Sequence, residues 1–146
     1  MPFTNPSPQA IAERLRATRT IAVVGLSPKP HRASYRVAAA MQRAGFRIVP
    51  VRPGGGSILG EPVVNDLDAA GPVDLVDVFR ASEHVPAILD AVLRLGLPAV
   101  WLQDGVVDEA AAEAARSAGV FVVMDRCLLR DGLPLLQLTA DKDGNR

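Results

Sequence analysis

The residues that could do chemistry are few, and most of them sit in one stretch. Positions 20–34 read TIAVVGLSPKPHRAS. An apolar, β-prone run stops at Gly25, and a turn-rich loop then carries Ser27, Lys29 and His31. Ser34 follows, placed to cap a helix that runs through Val37, Met41 and Ala44. Strand, glycine and helix start in that order is how α/β proteins hold a phosphate. The helix N-terminus offers unpaired backbone N–H groups and a partial positive charge, and glycine lets the backbone approach the anion closely. The chemistry expected is binding of a nucleotide-type ligand above Gly25. The same pattern also describes an ordinary strand-to-helix turn, so this stretch does not decide the matter alone.

A second strand end narrows the choice of nucleotide. A dinucleotide fingerprint would want glycine at 25, 27 and 30, but Ser27 and Pro30 hold the last two. An NAD site would also want an acid near the end of the second strand, for the ribose hydroxyls. The residues there are IVPVRP at 48–53, which include none. Arg52 stands there instead, and a guanidinium suits a phosphate ester on the ribose. NADP and coenzyme A both carry one, so both fit and NAD is disfavoured.

No constellation for catalysis is visible. The two histidines, His31 and His84, and the one cysteine, Cys127, lack metal-ligand spacing. No Walker-type phosphate loop and no Gly-x-Ser-x-Gly nucleophile elbow occurs.

The elements that must position these residues alternate along the chain. Ser7-Pro8 reads as a cap and first residue of a short helix with Ile11 and Leu15 on its apolar face. Strands are expected over 20–24, 46–51, 73–79, 99–102 and 120–124, with a short edge strand over 62–65. Helices are expected over 35–44, after Ser82 as a cap, and from a cap at Asp108 to Gly119. The run RPGGG at 52–56 must be a loop. Strands that are nearly continuous apolar runs, alternating with helices, predict an α/β fold: a doubly wound, mainly parallel Rossmann-like sheet flanked by helices. Its ligand would lie at the carboxyl ends of the strands. One domain over 1–138 is expected, with a polar, flexible tail over 139–146.

Bulk properties bound the partners. Lys plus Arg equals Asp plus Glu at 16 each, so no global field draws the chain to nucleic acid or anionic lipid. A single cysteine fits a reducing compartment, and no run approaches the length of a membrane span. The first residues, MPFTNPSPQA, do not read as a secretory signal, so a cytoplasmic protein is expected.

Several stretches carry a family resemblance: IAVVGLSPKP at 21–30, SYRV at 34–37, GFRIVPVRP at 45–53, VDLVDVFR at 73–80, VWLQDGV at 100–106 and VVMDRC at 122–127. In this order they resemble the small stand-alone CoA-binding proteins of bacteria. Those are similar in turn to the N-terminal CoA-binding domain of succinyl-CoA synthetase α subunits. The resemblance implies a Rossmann-like domain that binds coenzyme A. It implies that Gly25, Ser27 and Lys29 meet the pyrophosphate, and that Pro50, Val51 and Arg52 lie by the adenosine and its 3′-phosphate. It further implies that Phe79 and Arg80, with Gln103, Asp104 and Gly105, line the adenine or pantetheine path. Two positions depart from the family's pattern. Arg52 stands where asparagine is frequent, and Asp104 where an apolar residue is common.

Each of these residues also has a plain structural explanation. Arg80 would neutralise Asp74 or Asp77, Lys29 would be a solvated surface lysine, and Ser34 would cap its helix whatever the function. Asp104 would be a turn residue, and Phe79 and Trp101 would pack in the core. Cys127 would be a small core residue; beyond the last strand on the ligand side, it could instead meet the thiol of bound CoA in a mixed disulfide. The expected function is a CoA or acyl-CoA binding protein without catalytic apparatus of its own and with a small molecule as partner. The alternatives are an NADP-dependent oxidoreductase, a CoA-ligase subunit requiring a partner chain, or an interaction protein whose nucleotide site is vestigial.

Overall fold

Apolar residues on both faces of a strand can be buried only if helices cover both faces of the sheet. The computed structural model of the chain, which describes residues 2–136, solves that problem with one parallel sheet. Its strands are β1 (Thr20–Val24), β2 (Arg47–Val51), β5 (Leu75–Val78), β6 (Ala99–Leu102) and β7 (Phe121–Met124). Two short strands, β3 (Ser57–Ile58) and β4 (Glu61–Pro62), form a separate antiparallel hairpin. The helices are α1 (Pro8–Arg16), α2 (Ala33–Arg43), α3 (Leu67–Ala70), α4 (Val85–Leu95) and α5 (Glu109–Ser117).

The main sheet has the order β2-β1-β5-β6-β7, every neighbouring pair parallel. Alternate residues of each strand feed two cores. Ala22, Val24, Val76, Val78, Val100 and Leu102 pack under Leu67 of α3, Val85, Leu89 and Val92 of α4, and Ala112 and Ala115 of α5. Ile21, Val23, Leu75, Trp101 and Val123 pack under Ile11 and Leu15 of α1, Val37 and Met41 of α2, and Leu128. The chain leaves β1 toward β2 on one side and returns to β5 on the other. The order therefore reverses between β1 and β5, and at such a switch the connecting loops part to leave a crevice at the strand carboxyl ends.

Caps explain where several helices begin. Ser7 accepts from the Ala10 N–H, Asp66 from Ala69 and Asp108 from Ala111, each satisfying one orphan donor. Two expected caps are not caps. α2 starts at Ala33, so Ser34 lies inside its first turn, and the N-cap position is Arg32 with no side-chain bond. Ser82 opens a 3₁₀ turn, Ser82–His84, and its hydroxyl crosses to the next loop, where it accepts from the Val107 N–H and donates to the Gly105 carbonyl.

The expected strand over 62–65 shrinks to one bridge. Val64 lies beside Val51 in parallel, exchanging hydrogen bonds with Pro50 and Arg52, while Pro62 belongs to the hairpin. Pro62 has no N–H to donate, so a longer ladder there loses a rung. The expected tail over 139–146 lies outside the described residues. After β7 a π-helical turn, Leu128–Gly132, packs against the face that α1 and α2 cover. Among the described residues no helix is long and apolar enough to cross a membrane.

Candidate functional site

The crevice at the switch is set by Gly25. It leaves β1 with φ +87°, its N–H bonds the Val51 carbonyl at 2.9 Å, and the Phe79 N–H bonds the Val24 carbonyl at 2.8 Å. A Cβ at this position would stand 2.5 Å from the Phe79 carbonyl oxygen and 3.0 Å from Arg80 Cδ. Only glycine lets the ends of β1, β2 and β5 come this close.

Gly25 borders a cleft of about 400 Å³ that is also lined by Ser27, Lys29, Arg32, Ser34, Arg52 and Phe79. Its basic side chains are Lys29, Arg32 and Arg52, and no acidic side chain lines it. The first turn of α2 faces it through Ala33 and Ser34, and the N–H groups of Ala33, Ser34 and Tyr35 have no acceptor among the described residues. An uncapped helix start of this kind is complementary to an anion. Ser34, buried in the first turn, accepts from the Ser27 N–H at 3.0 Å, and Ser27 Oγ accepts from the Lys29 N–H at 3.1 Å. Both serines therefore shape the loop, and each keeps a hydroxyl hydrogen to donate. Arg52 leans back over the loop, Nη1 reaching the Leu26 carbonyl at 3.4 Å.

Phe79 and Ala33 are shared with a second cleft of about 380 Å³, whose walls include Val37 and Val106. Gln103, Asp104, Gly105, Cys127 and Arg80 also line it. Gln103 is buried, and its Oε1 accepts from the Leu128 N–H at 3.0 Å. The Gly105 N–H donates to Asp125 at 2.8 Å, which pins the loop after β6 to the loop after β7. Asp104 is held in a two-pronged pair with Arg130, both contacts at 2.9 Å, so its charge is offset rather than turned loose on the cleft. Arg130 also bonds Asp131 and holds that carboxyl below the usual carboxylate range.

Arg80 does not neutralise either acid proposed for it. Asp74 accepts from the backbone N–H groups of Arg19 and Thr20, both at 3.0 Å, and ties down the start of β1. Asp77 is fully buried on β5 with neither oxygen partnered among the described residues, and burial pushes its carboxyl well above the usual range. Arg80 instead meets His84 Nε2 at 3.1 Å, four residues on. It also lines a third cleft, of about 210 Å³, together with Val51, Arg52, Leu67 and Ile88.

Three adjoining clefts thus gather eleven of the twelve residues singled out in the sequence; Pro50 lines none of them and faces inward on β2. The structure adds Arg32, Ala33, Val37 and Val106. Arg32 had a signal, a basic residue at the mouth of a helix. Val37 and Val106 had none, because a lining valine and a core valine look the same in a sequence. Trp101 is a core residue, as expected: it is buried, and its indole N–H donates to the Arg126 carbonyl at 2.9 Å.

Comparison with known proteins agrees with this arrangement. The protein YneT of Bacillus subtilis is 42% identical over 125 residues, 85% of this chain and 93% of YneT. Among solved structures, the cell-free ID.343 protein of Thermus thermophilus has 35% identity and a TM-score of 0.83, over 89% of this chain and 99% of that one. A protein of Pyrococcus horikoshii OT3 has 28% identity and a TM-score of 0.83, over 93% and 99% of the two chains. The CoA binding domain family matches residues 19–132, which include every element bordering the three clefts. The chain belongs to the CoA-binding domain family.

Proposed function

We propose that this protein binds coenzyme A, free or acylated, along the strand carboxyl ends, and that it has no catalytic apparatus of its own. One observation carries the proposal: the uncapped first turn of α2 faces a cleft that holds Lys29, Arg32 and Arg52 and no acid. In this reading the pyrophosphate sits on the N–H groups of Ala33, Ser34 and Tyr35, with Lys29 and Arg32 alongside. Arg52 meets the 3′-phosphate, since it stands at the end of β2 where an NAD site would need an acid. The adenine lies toward the third cleft, beside Val51 and Arg80. The pantetheine arm passes Phe79 into the second cleft, whose Val37 and Val106 walls suit its apolar stretches. Gln103 and Gly105 lie at the far end of that path.

Isothermal titration of the purified protein with CoA, NADP and NAD tests this. CoA is expected to bind, NADP more weakly and NAD least. Tighter binding of NADP than of CoA overturns the proposal in favour of a hydride-transfer cofactor.

A further inference from the structure

Two groups that line the second cleft have chemistry to spare. Gln103 is 4% exposed, and its Oε1 is committed to the Leu128 N–H. Because a backbone N–H can only donate, that bond fixes which end of the side chain is oxygen and which is nitrogen. The NH₂ group has no partner among the described residues, yet it is not sealed inside the core, and Gln103 lines the cleft. A buried amide donor left unpaired is costly unless something in the cleft accepts from it. The residue before Leu128 is Cys127, a half-buried free thiol lining the same cleft. An unpaired amide donor and a thiol therefore line one cleft, which meets the phosphate cleft at Ala33 and Phe79.

We infer that Cys127 is a site of thiol–disulfide exchange with the pantetheine end of CoA, and that Gln103 holds the arm there by donating from Nε2 to a pantetheine carbonyl. The inference rests on the CoA reading of the clefts. The co-reactant is CoA disulfide. Cys127 gives its thiol proton to solvent, and the thiolate attacks one sulfur of the disulfide. The new Cys127–CoA sulfur bond forms as the CoA–CoA sulfur bond breaks. The displaced CoA leaves as a thiolate and takes up a proton. Cys127 is oxidised and the departing CoA is reduced, so the step balances. The product is a protein carrying CoA on Cys127, released again by a free thiol.

The test is mass spectrometry of the reduced protein after exposure to CoA disulfide, with oxidised glutathione at the same concentration as the comparison. Titration of reduced CoA into the same preparation reports the binding site separately. A single CoA adduct on the Cys127 peptide is expected, absent in Cys127→Ser. It should form at least about tenfold faster than the glutathione adduct, because a bound disulfide reacts at the effective concentration of the site. Gln103→Glu keeps an acceptor for the Leu128 N–H but removes the donor, and it should lower the ratio of the two rates. Reduced CoA that binds without any adduct forming, or equal rates with the two disulfides, overturns the inference while leaving the binding proposal standing. Failure of reduced CoA to bind removes the binding proposal, and the inference with it.

Discussion

Gly25→Ala is the perturbation that most directly strikes the crevice. The new Cβ would stand 2.5 Å from the Phe79 carbonyl oxygen, 3.1 Å from its carbonyl carbon and 3.0 Å from Arg80 Cδ. The arginine can swing away, but the carbonyl is backbone, held by the 2.8 Å bond from the Phe79 N–H to Val24. The backbone at Gly25 has φ +87°, which an L-residue adopts at a cost of about 1–2 kcal/mol. Forcing the strand ends apart adds about 1–3 kcal/mol, the usual penalty for overpacking. The sum is roughly 2–5 kcal/mol. Gly45 separates the two contributions: it has φ +108°, and a Cβ there would meet nothing within 4 Å, so Gly45→Ala should show only the conformational cost. Urea unfolding of the wild type and both variants gives the comparison. Gly25→Ala should be the less stable variant by about 1–3 kcal/mol, and under conditions where it is folded it should bind CoA more weakly. Equal stability of the two variants, with CoA affinity intact in Gly25→Ala, would refute the argument from close approach.

Three further outcomes follow from the same geometry. Arg52→Glu should weaken CoA by about tenfold or more, and dephospho-CoA much less, because a charged hydrogen bond is replaced by repulsion only where a 3′-phosphate is present; equal losses in titration would move Arg52 away from that phosphate. Ser34→Ala leaves the Ser27 N–H without its acceptor, costing about 1 kcal/mol in denaturant unfolding and loosening the loop over the anion cleft; unchanged stability and CoA affinity would remove that role. Asp77 bears on pH dependence. Its folded carboxyl keeps its proton above the usual range, so the unfolded chain ionises first as pH rises. Stability linked to Asp77 is therefore present in full below the ordinary carboxylate value and is lost as pH climbs toward the folded value. Asp77→Asn should flatten this decline in unfolding measured from acid to mildly alkaline pH, and an unaltered slope would show that another group is responsible.

The fold was legible because its strands are unambiguous. Runs such as IAVV at 21–24 and AVWL at 99–102 have no polar face to offer water, so they belong in a sheet covered on both sides. Asp77 breaks such a run and still lies in the central strand, which is why the run survives as β5 and the carboxyl is left without a partner among the described residues. Caps were legible where the side chain meets its own helix, at Ser7 and Asp108, and illegible where it bonds a loop instead. Ser34 bonds back to Ser27 in the loop that leads into its helix and Ser82 bonds Val107 in another loop, and cap spacing carries no trace of either. The edge strand failed for a related reason, since hairpin formation by β3 and β4 took Pro62 and left Val64 a single bridge. At the site, charge was readable and direction was not. Arg80 looked like a partner for Asp74 or Asp77 because they are near in sequence, but both faces of β5 are covered, which buries Asp77, and Asp74 turns to the start of β1. Asp104 looked ill-placed until Arg130, from the turn after β7, proved to hold it.

A crystal structure with CoA bound tests the central claim most directly. The account places the pyrophosphate on the N–H groups of Ala33 to Tyr35, the 3′-phosphate against Arg52, and the thiol end beyond Phe79 near Gln103 and Cys127. CoA seated elsewhere on the molecule, or these clefts filled by their own side chains while CoA is bound, would contradict it.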